Sequence, residues 1–207
     1  MNAWVGVIKQ AIELFGGSVD TGELYTKLYQ KSMEGAADCG GVCTVNYMAG
    51  EGVTHLDSGR PFVIRTPDSD FSLANFLRSQ LYSTMATLKI GMDILAKEGV
   101  EIVSLTGHGG LFKTPVVGQR YMAAACKAPV TVMETAGEGG PYGMALLASY
   151  RILKSGETLE EFLANKIFAN ARSSTIAPAA EDAEGFDKYI EKFSAALDAE
   201  RVAAVKF

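Results

Sequence analysis

One stretch decides how this sequence folds: Val100-Glu-Ile-Val-Ser-Leu-Thr-Gly-His-Gly-Gly-Leu-Phe-Lys-Thr-Pro-Val-Val-Gly-Gln119. Its apolar first half predicts a β-strand, its glycines predict a tight turn, and a helical pattern begins near Thr114. In a parallel α/β sheet, ligands bind at the carboxyl ends of strands, because glycine lets the backbone approach closely and the next helix offers unpaired N–H groups to an anion. The stretch therefore predicts a nucleotide site.

The composition is that of a globular protein with one domain or two closely joined lobes. The chain has 207 residues, of which 48% are hydrophobic and 21% are charged. A formal net charge of -5 and the lack of a dense Lys/Arg block argue against nucleic acid as a partner. No apolar run reaches the roughly 18 residues of a membrane span, and the start has no secretion-signal plan. We expect a cytoplasmic protein with no membrane or nucleic-acid partner.

The three cysteines do not predict a disulfide framework or a zinc site. Their number is odd, and Cys39 and Cys43 have the spacing C-x3-C with no second pair of ligands nearby. We expect these two and Cys126 to be buried thiols.

Hydrophobic periodicity predicts alternating helices and strands around the opening stretch. Helices are expected at 3–15, 21–31, 72–97, 114–127, 141–153, 159–168 and 183–205, and further strands at 42–48 and 129–133. Residues 49–71 are predicted to be an irregular connection, and residues 173–180 a polar link. The β-α-β-α order around residue 114 predicts parallel strands with a right-handed crossover.

Two standard phosphate loops do not fit the glycine turn. Phe112 stands where the dinucleotide fingerprint needs its third glycine. A P-loop needs glycine immediately before Lys113, and Phe112 is there instead. The sequence therefore favours neither a Rossmann dehydrogenase nor a P-loop NTPase.

A third arrangement fits the turn and the helices that follow it. It comprises Gly109-Gly110, Lys113-Thr114-Pro115, Gln119, a strand, and a small-residue helix with Gly143, Ala145 and Ala148. This resembles the adenosine motif G-G-G-A-K-S-P-x-W-x-Q and the helix G-A-A-x-x-A of the FGGY carbohydrate kinases, which belong to the actin-like ATPase superfamily. Upstream, Tyr47-Met-Ala-Gly-Glu51 resembles P-Y-L-x-G-E-R of the same family. The chain departs from these motifs at Gly52, Leu111 and Val117, and by the additional residues 139–142.

The resemblance implies a fold and a site. The fold would be an α/β ribonuclease H-like (actin-like ATPase) domain, with a mixed sheet whose parallel β-α-β core is flanked by helices. Gly109 and Gly110 would pass the ribose and α-phosphate or the adenine edge, Lys113 would approach the phosphates, and Thr114 would face the adenine. The implied cofactors are ATP or ADP, with Mg²⁺ in the full-length enzyme.

The resemblance also implies a division of labour between two lobes. Family members begin with a sugar-binding domain that carries the first phosphate loop and the catalytic aspartate, followed by a G-T-S-type second phosphate motif. These motifs do not occur in this sequence, so we expect residues 1–207 to be the C-terminal nucleotide-binding domain, ending in a helical tail at 173–207. We then expect no activity from the chain alone, a ketopentose such as xylulose or ribulose as the parent enzyme's substrate, and an apolar interlobe face that favours a homodimer.

The residues themselves leave simpler interpretations open. The glycine pair is also compatible with a plain strand-to-helix turn, with Thr114 as N-cap and Pro115 at the first helical position, and Lys113 with a solvated surface residue. A catalytic role for His108 and a Mg²⁺ role for Glu134 and Glu138 are less favoured than local structural roles. Two other functions remain as alternatives: a stand-alone nucleotide-sensing or protein-interaction module, and a small metabolic enzyme of unrelated α/β fold.

Overall fold

The computed structural model describes residues 1–206, apart from the side chain of Glu138. In chain order the elements are α1 (Asn2–Leu14), α2 (Thr21–Ser32), β1 (Cys43–Val45), β2 (Phe62–Ile64), α3 (Leu73–Lys97), β3 (Leu105–Gly107), α4 (Val117–Cys126), β4 (Val130–Met133), α5 (Gly139–Leu153), α6 (Leu159–Phe162), β5 (Ser173–Ile176) and α7 (Ala180–Lys206). Short 3-10 turns precede α4 at Gly110–Phe112 and α5 at Ala136–Glu138.

The helices with strong local signals lie where the sequence predicts them. The side chain of Asp20 accepts the Glu23 N–H at 3.0 Å at the start of α2, and Ser72 accepts the Asn75 N–H at 3.2 Å at the start of α3. Gly99 follows α3 with φ 77°, the left-handed conformation that commonly ends a helix.

The strands form two sheets. β3, β4 and β5 make a mixed sheet in which β3 and β4 run parallel and β5 runs antiparallel to β4. Helix α4 connects β3 to β4, which confirms the predicted mixed sheet with a parallel β-α-β core. β1 and β2 make a separate antiparallel pair that packs between α3 and α7.

Four local predictions are wrong. The strand predicted from Val100 begins only at Leu105, because the preceding residues pair with no other strand and Val103 is 77% exposed. The helix predicted from Thr114 begins at Val117, since Val116 has φ 72° and breaks the helical path. The predicted irregular connection 49–71 contains β2, and the predicted polar link 173–180 contains β5. Both strands are short, and pairing with distant strands sets them, so they leave little periodicity in the sequence.

The main core lies where α7 crosses α3 and α4. The ring of Tyr82 on α3 meets those of Tyr121, Phe186 and Tyr189 at centroid distances of 5.0, 4.9 and 5.3 Å. All four side chains are at most 1% exposed. Aromatic burial of this size dominates the energetics of a core, so α7 is part of the domain's centre.

A buried charge network joins the same three helices. Asp182 of α7 accepts hydrogen bonds from Arg78 of α3 at 2.7 Å and from Arg120 of α4 at 3.0 Å. Arg78 also donates to the Tyr82 hydroxyl at 2.6 Å and to the Gly35 carbonyl at 2.9 Å. Because both Arg78 and Asp182 are only 1% exposed, each charge depends on its partner for compensation.

The three cysteines are shielded from solvent to different degrees. Cys39 and Cys43 are buried and Cys126 is half-buried, and burial raises the pKa of Cys43 and Cys126 to about 11. Within residues 1–206, no helix has both the length and the apolar character needed to cross a membrane.

Candidate functional site

Two glycine-rich loops meet at the carboxyl ends of β3 and β4. The parallel pairing brings Gly107 of β3 opposite Val132 of β4, so the chain leaves both strands at the same edge of the sheet. The Gly109 N–H then donates to the Ala136 carbonyl at 2.7 Å and joins the first loop to the second. This edge is where open α/β sheets bind ligands.

The glycine pair is open to solvent, as a ligand contact requires. A Cβ atom at Gly109 or at Gly110 would meet no other atom within 4 Å. Gly109 has φ 100° and ψ -175°, a conformation that is essentially restricted to glycine. Gly109 therefore shapes the turn, whereas Gly110 leaves an uncovered stretch of backbone beside it.

Phe112 holds the first loop against the sheet. Its ring lies 2.5 Å from the position of a Cβ on Gly107, so any side chain there would displace the ring, and it lies 3.1 Å from that of a Cβ on Gly118. Phe112, which stands where the dinucleotide fingerprint needs glycine, thus packs inside the turn that follows β3.

Lys113 and Thr114 have different environments. Lys113 lies across the second loop, where its Cε is 3.3 Å from the position of a Cβ on Gly137. Thr114 is 6% exposed and is not the N-cap of α4, because that position belongs to Val116 and has no side-chain hydrogen bond. The alternative in which Thr114 caps the helix is therefore wrong, and the implied contact of Thr114 with adenine concerns a buried side chain.

Two clefts flank the second glycine loop. The first, of about 740 Å³, lies between α4 and the ends of β4 and β5 and has a polar rim of Lys113, Glu134, Arg172 and Ser173. The second, of about 600 Å³, lies between this loop and α5 and is mainly apolar, with walls that include Met144, Leu147, Leu163 and Phe168. The edge thus places a polar and an apolar compartment side by side.

His108 and Gln119 have structural contacts here. His108 lines the apolar cleft and packs on Gly139, with its Cβ 2.9 Å from the position of a Cβ there. The buried Gln119 amide donates to the carbonyls of Val130 at 3.1 Å and Ser174 at 2.9 Å. Gln119 therefore ties α4 to β4 and β5 beneath the polar cleft.

Sequence reasoning named His108 and Gly143 separately, but it missed the apolar side chains that complete the cleft. They come from residues 135–147 and from 159–168, which are separate in sequence and meet only in the fold. The signal that was available is the run Gly137-Glu-Gly-Gly-Pro-Tyr-Gly143, which joins a strand to an apolar helix. The side chain of Glu138, weighed above as a Mg²⁺ ligand, lies outside the described residues.

The fold is a mixed α/β sheet with two glycine-rich loops at the carboxyl ends of its parallel strands. Residues 2–152 match the profile of the FGGY family of carbohydrate kinases, C-terminal domain. The chain therefore belongs to the FGGY family, as the sequence motifs suggested. No curated protein gives a significant match to the chain.

Solved structures of this family share the fold at low sequence identity. Xylulose kinase from Rhodospirillum rubrum is 15% identical with a TM-score of 0.63, over 96% of this chain and 38% of the kinase. Gluconate kinase from Lactobacillus acidophilus is 18% identical with a TM-score of 0.62, over 83% and 34%. Plasmodium falciparum glycerol kinase with ADP is 16% identical with a TM-score of 0.63, over 84% and 33%. The chain thus spans 33% to 38% of the length of these kinases.

Proposed function

We propose that this chain is the ATP- or ADP-binding lobe of a FGGY carbohydrate kinase, and that a separate lobe holds the sugar. The observation that carries the proposal is the open Gly109-Gly110 backbone beside an apolar cleft at the carboxyl edge of the sheet. Glycine-rich turns at this edge suit a nucleotide, because backbone groups approach the phosphates and an apolar slot takes the base.

The apolar cleft suits the adenine ring. Gly140 and Gly143 line it, and a Cβ on either would point into open space, so the backbone of α5 is accessible to a flat ligand. Tyr142, Leu147 and Phe168 supply apolar surface around the slot. We therefore propose that the adenine lies against α5 in this cleft, while the contact of Thr114 with adenine that the motif implies stays a prediction.

The first loop is then left for the ribose and phosphates. Because the Gly109 N–H already donates to Ala136, the ligand contact falls to the next stretch of backbone at Gly110. Lys113, on the same loop, adds a positive charge near this edge. Phosphoryl transfer depends mainly on positioning and on electrostatic stabilisation of the phosphates. In our proposal this lobe positions the nucleotide, and Lys113 adds to the electrostatic stabilisation.

We propose that the Mg²⁺ ligands of the full-length enzyme belong to the other lobe rather than to the described residues of this chain. Among them, no group of three or more His, Cys, Asp or Glu side chains comes together. Glu134 is 66% exposed and lies 3.9 Å from Arg172.

We also propose a class of sugar substrate and a more specific fold class. The motif resemblance favours a ketopentose such as xylulose or ribulose, while the solved structures with this fold include xylulose, gluconate and glycerol kinases. The β3-β4-β5 sheet with α4 and α5 would be the counterpart of the ribonuclease H-like core of actin-like ATPases.

Calorimetric titration with ADP and thermal melting test the proposal. We expect heat of binding, a rise in Tm with ADP concentration, and no release of ADP from ATP and xylulose or ribulose by the chain alone. Addition of a sugar-binding lobe from a FGGY kinase should restore turnover. Absence of both heat and thermal protection would contradict the nucleotide site, and turnover by the chain alone would contradict the separate sugar lobe.

A protein-interaction module is a second candidate, which the surface of α5 favours. Met144, Ile152 and Leu153 are 69%, 80% and 62% exposed on this apolar helix. An exposed apolar patch marks an interaction site. Sedimentation of the chain alone distinguishes the candidates, because an interaction module stays monodisperse and an uncovered interlobe face associates into dimers or larger species.

A further inference from the structure

The two-stranded sheet is closed along one edge and open along the other. At β1, the Tyr189 hydroxyl lies 3.4 Å from the Thr44 amide nitrogen and 3.1 Å from its carbonyl oxygen, so α7 satisfies this edge. Because the N–H and C=O of Thr44 point away from β2, Thr44 belongs to a non-hydrogen-bonded pair of this antiparallel sheet. The residue opposite Thr44 therefore also directs its own N–H and C=O outward, away from β1. That residue is Val63. In the described chain β2 pairs with β1 alone, so the N–H and C=O of Val63 point to an unpaired edge.

A trough follows this open edge between β2 and α7. Two adjoining cavities of about 320 and 490 Å³ share Ile64 and Ala199 as lining residues. The α7 wall carries small side chains at four-residue steps, Ala195, Ala199 and Ala203. Ile64 on the β2 side is 46% exposed. The trough therefore has an uncovered apolar floor along the whole strand.

The opposite face of the same edge is also apolar and is only partly covered. Val63 packs against the cluster that contains Phe76. The rings of Trp4 and Phe71 meet Phe76 edge-on at 4.9 and 6.2 Å, and they are 40% and 55% exposed. A strand added to β2 would thus lie between the alanines of α7 and these rings. Sheets of three or more strands with covered faces are stable, whereas an isolated pair is marginal.

Three cations border the trough: Arg60 and Arg65 at the two ends of β2, and Lys192 on α7. Arg65 lies 4.9 Å over the Phe71 ring, and Lys192 is 4.0 Å from Asp38. Within the described residues, neither guanidinium group forms an ion pair with a carboxylate, although the main-chain N–H of Arg60 donates to the buried carboxylate of Glu200. A second copy pairing antiparallel about Val63 would bring Arg60 of each copy near Arg65 of the other, and such like-charge neighbours are destabilising.

We infer that the open edge of β2 binds an extended segment of another polypeptide, which adds as a third strand and carries acidic side chains at its ends. Main-chain hydrogen bonds to Val63 supply affinity, and the alanine trough accepts alternate apolar side chains. Carboxylates at the two ends of the segment pair with Arg60 and Arg65. This surface is separate from the proposed nucleotide site and does not depend on it.

Fluorescence anisotropy of the whole chain with labelled peptides tests this surface. The probe is the peptide Glu-Asp-Val-Thr-Val-Thr-Val-Asp-Glu, and its matched control has lysine at the four acidic positions. We expect the acidic peptide to bind at least about tenfold more tightly than the lysine peptide, because the trough ends are cationic. Failure of both peptides to bind at millimolar concentration would overturn the inference.

Two variants locate the binding. Val63→Pro removes the outward N–H, and proline is tolerated on an edge strand where that N–H faces solvent, so we expect about tenfold weaker binding of the acidic peptide. Arg65→Glu, at an exposed side chain, should reverse the preference between the two peptides. Both variants should bind ADP as the wild type does. Peptide binding by a folded Val63→Pro variant that equals wild-type binding would contradict the inference. So would a wild-type dimer that Val63→Pro dissociates. If Val63→Pro does not fold, the inference is decided by whether Arg65→Glu reverses the preference between the two peptides.

Discussion

Gly109 and Gly110 are neighbours, yet a methyl group has a different effect at each. Alanine at Gly109 would be forced into φ 100°, which costs about 1 to 3 kcal/mol, whereas alanine at Gly110 meets no atom within 4 Å and no left-handed backbone. We expect Gly110→Ala to keep the wild-type Tm and to weaken ADP binding by about tenfold or more, because the methyl group stands between the loop and the ligand.

The matched variant Gly109→Ala should instead lower Tm by several degrees, about 2 to 4 °C per kcal/mol for a chain of this length. Calorimetry and melting of both proteins separate the two effects. Equal ADP affinity in wild type and Gly110→Ala would contradict the placement of the ligand at this turn.

A second residue-scale prediction concerns the apolar cleft. Gly143 in α5 and Gly91 in α3 are both interior helical glycines whose Cβ positions are empty, so alanine at either should stabilise the chain by about 1 kcal/mol. Only Gly143 lines the cleft. We expect Gly143→Ala to weaken ADP binding and Gly91→Ala to leave it unchanged, as measured by calorimetry. If both variants bind ADP like the wild type, adenine does not occupy this cleft.

At the scale of elements, the buried charge network decides how α3, α4 and α7 stay together. Asp182→Asn leaves Arg78 with a buried, uncompensated charge, so we expect a loss of about 3 to 5 kcal/mol in the free energy of unfolding. Asp187→Asn is the control, because Asp187 pairs with Lys127 at 2.8 Å on the exposed side of α7 and should change stability by less than about 1 kcal/mol. Urea unfolding measures both, and equal effects would contradict a central role for the network.

The same network predicts how stability depends on pH. Burial by itself would raise the pKa of Asp182, but hydrogen bonds from Arg120 and Arg78 outweigh burial and hold that pKa below its ordinary value. A carboxylate with a lowered pKa stabilises the fold above its unfolded pKa of about 3.9, and this stability is lost as the pH falls through the folded pKa. Melting curves between pH 7 and pH 3 should show an acid loss of stability that is smaller in Asp182→Asn. An identical pH profile would remove Asp182 as the cause.

Elements differ in how far sequence predicts them, and the reason is the range of the interactions that fix them. α3 could be located closely because its cap at Ser72 and its closing Gly99 are local signals. β2 and β5 have three and four residues and exist only through pairing with β1 and β4, so a local pattern does not reveal them.

The features of the candidate site also differ in how far the sequence predicts them. The open Gly109-Gly110 turn is a local feature that the sequence predicts, whereas the burial of Thr114 and the cleft between α5 and residues 159–168 depend on tertiary packing. The contact between Arg78 and Asp182 joins residues 104 positions apart, and no spacing rule points to it.

At the scale of the whole molecule, the chain is a domain with its own aromatic core and an edge that faces outward with two glycine loops. The part of the chain that matches the solved kinases covers 33% to 34% of their length. Under the proposed function, this domain binds the nucleotide and a separate lobe binds the sugar.

The most direct test of the nucleotide site is the change in backbone amide NMR shifts when ADP is added to the ¹⁵N-labelled chain. We expect the largest shift changes at the amides of Gly110, Gly140 and Gly143, and no change at the amides of Val63 and Arg65 on β2. Shifts confined to other surfaces, or none at the glycine loops under saturating ADP, would contradict the claim that these loops hold the nucleotide.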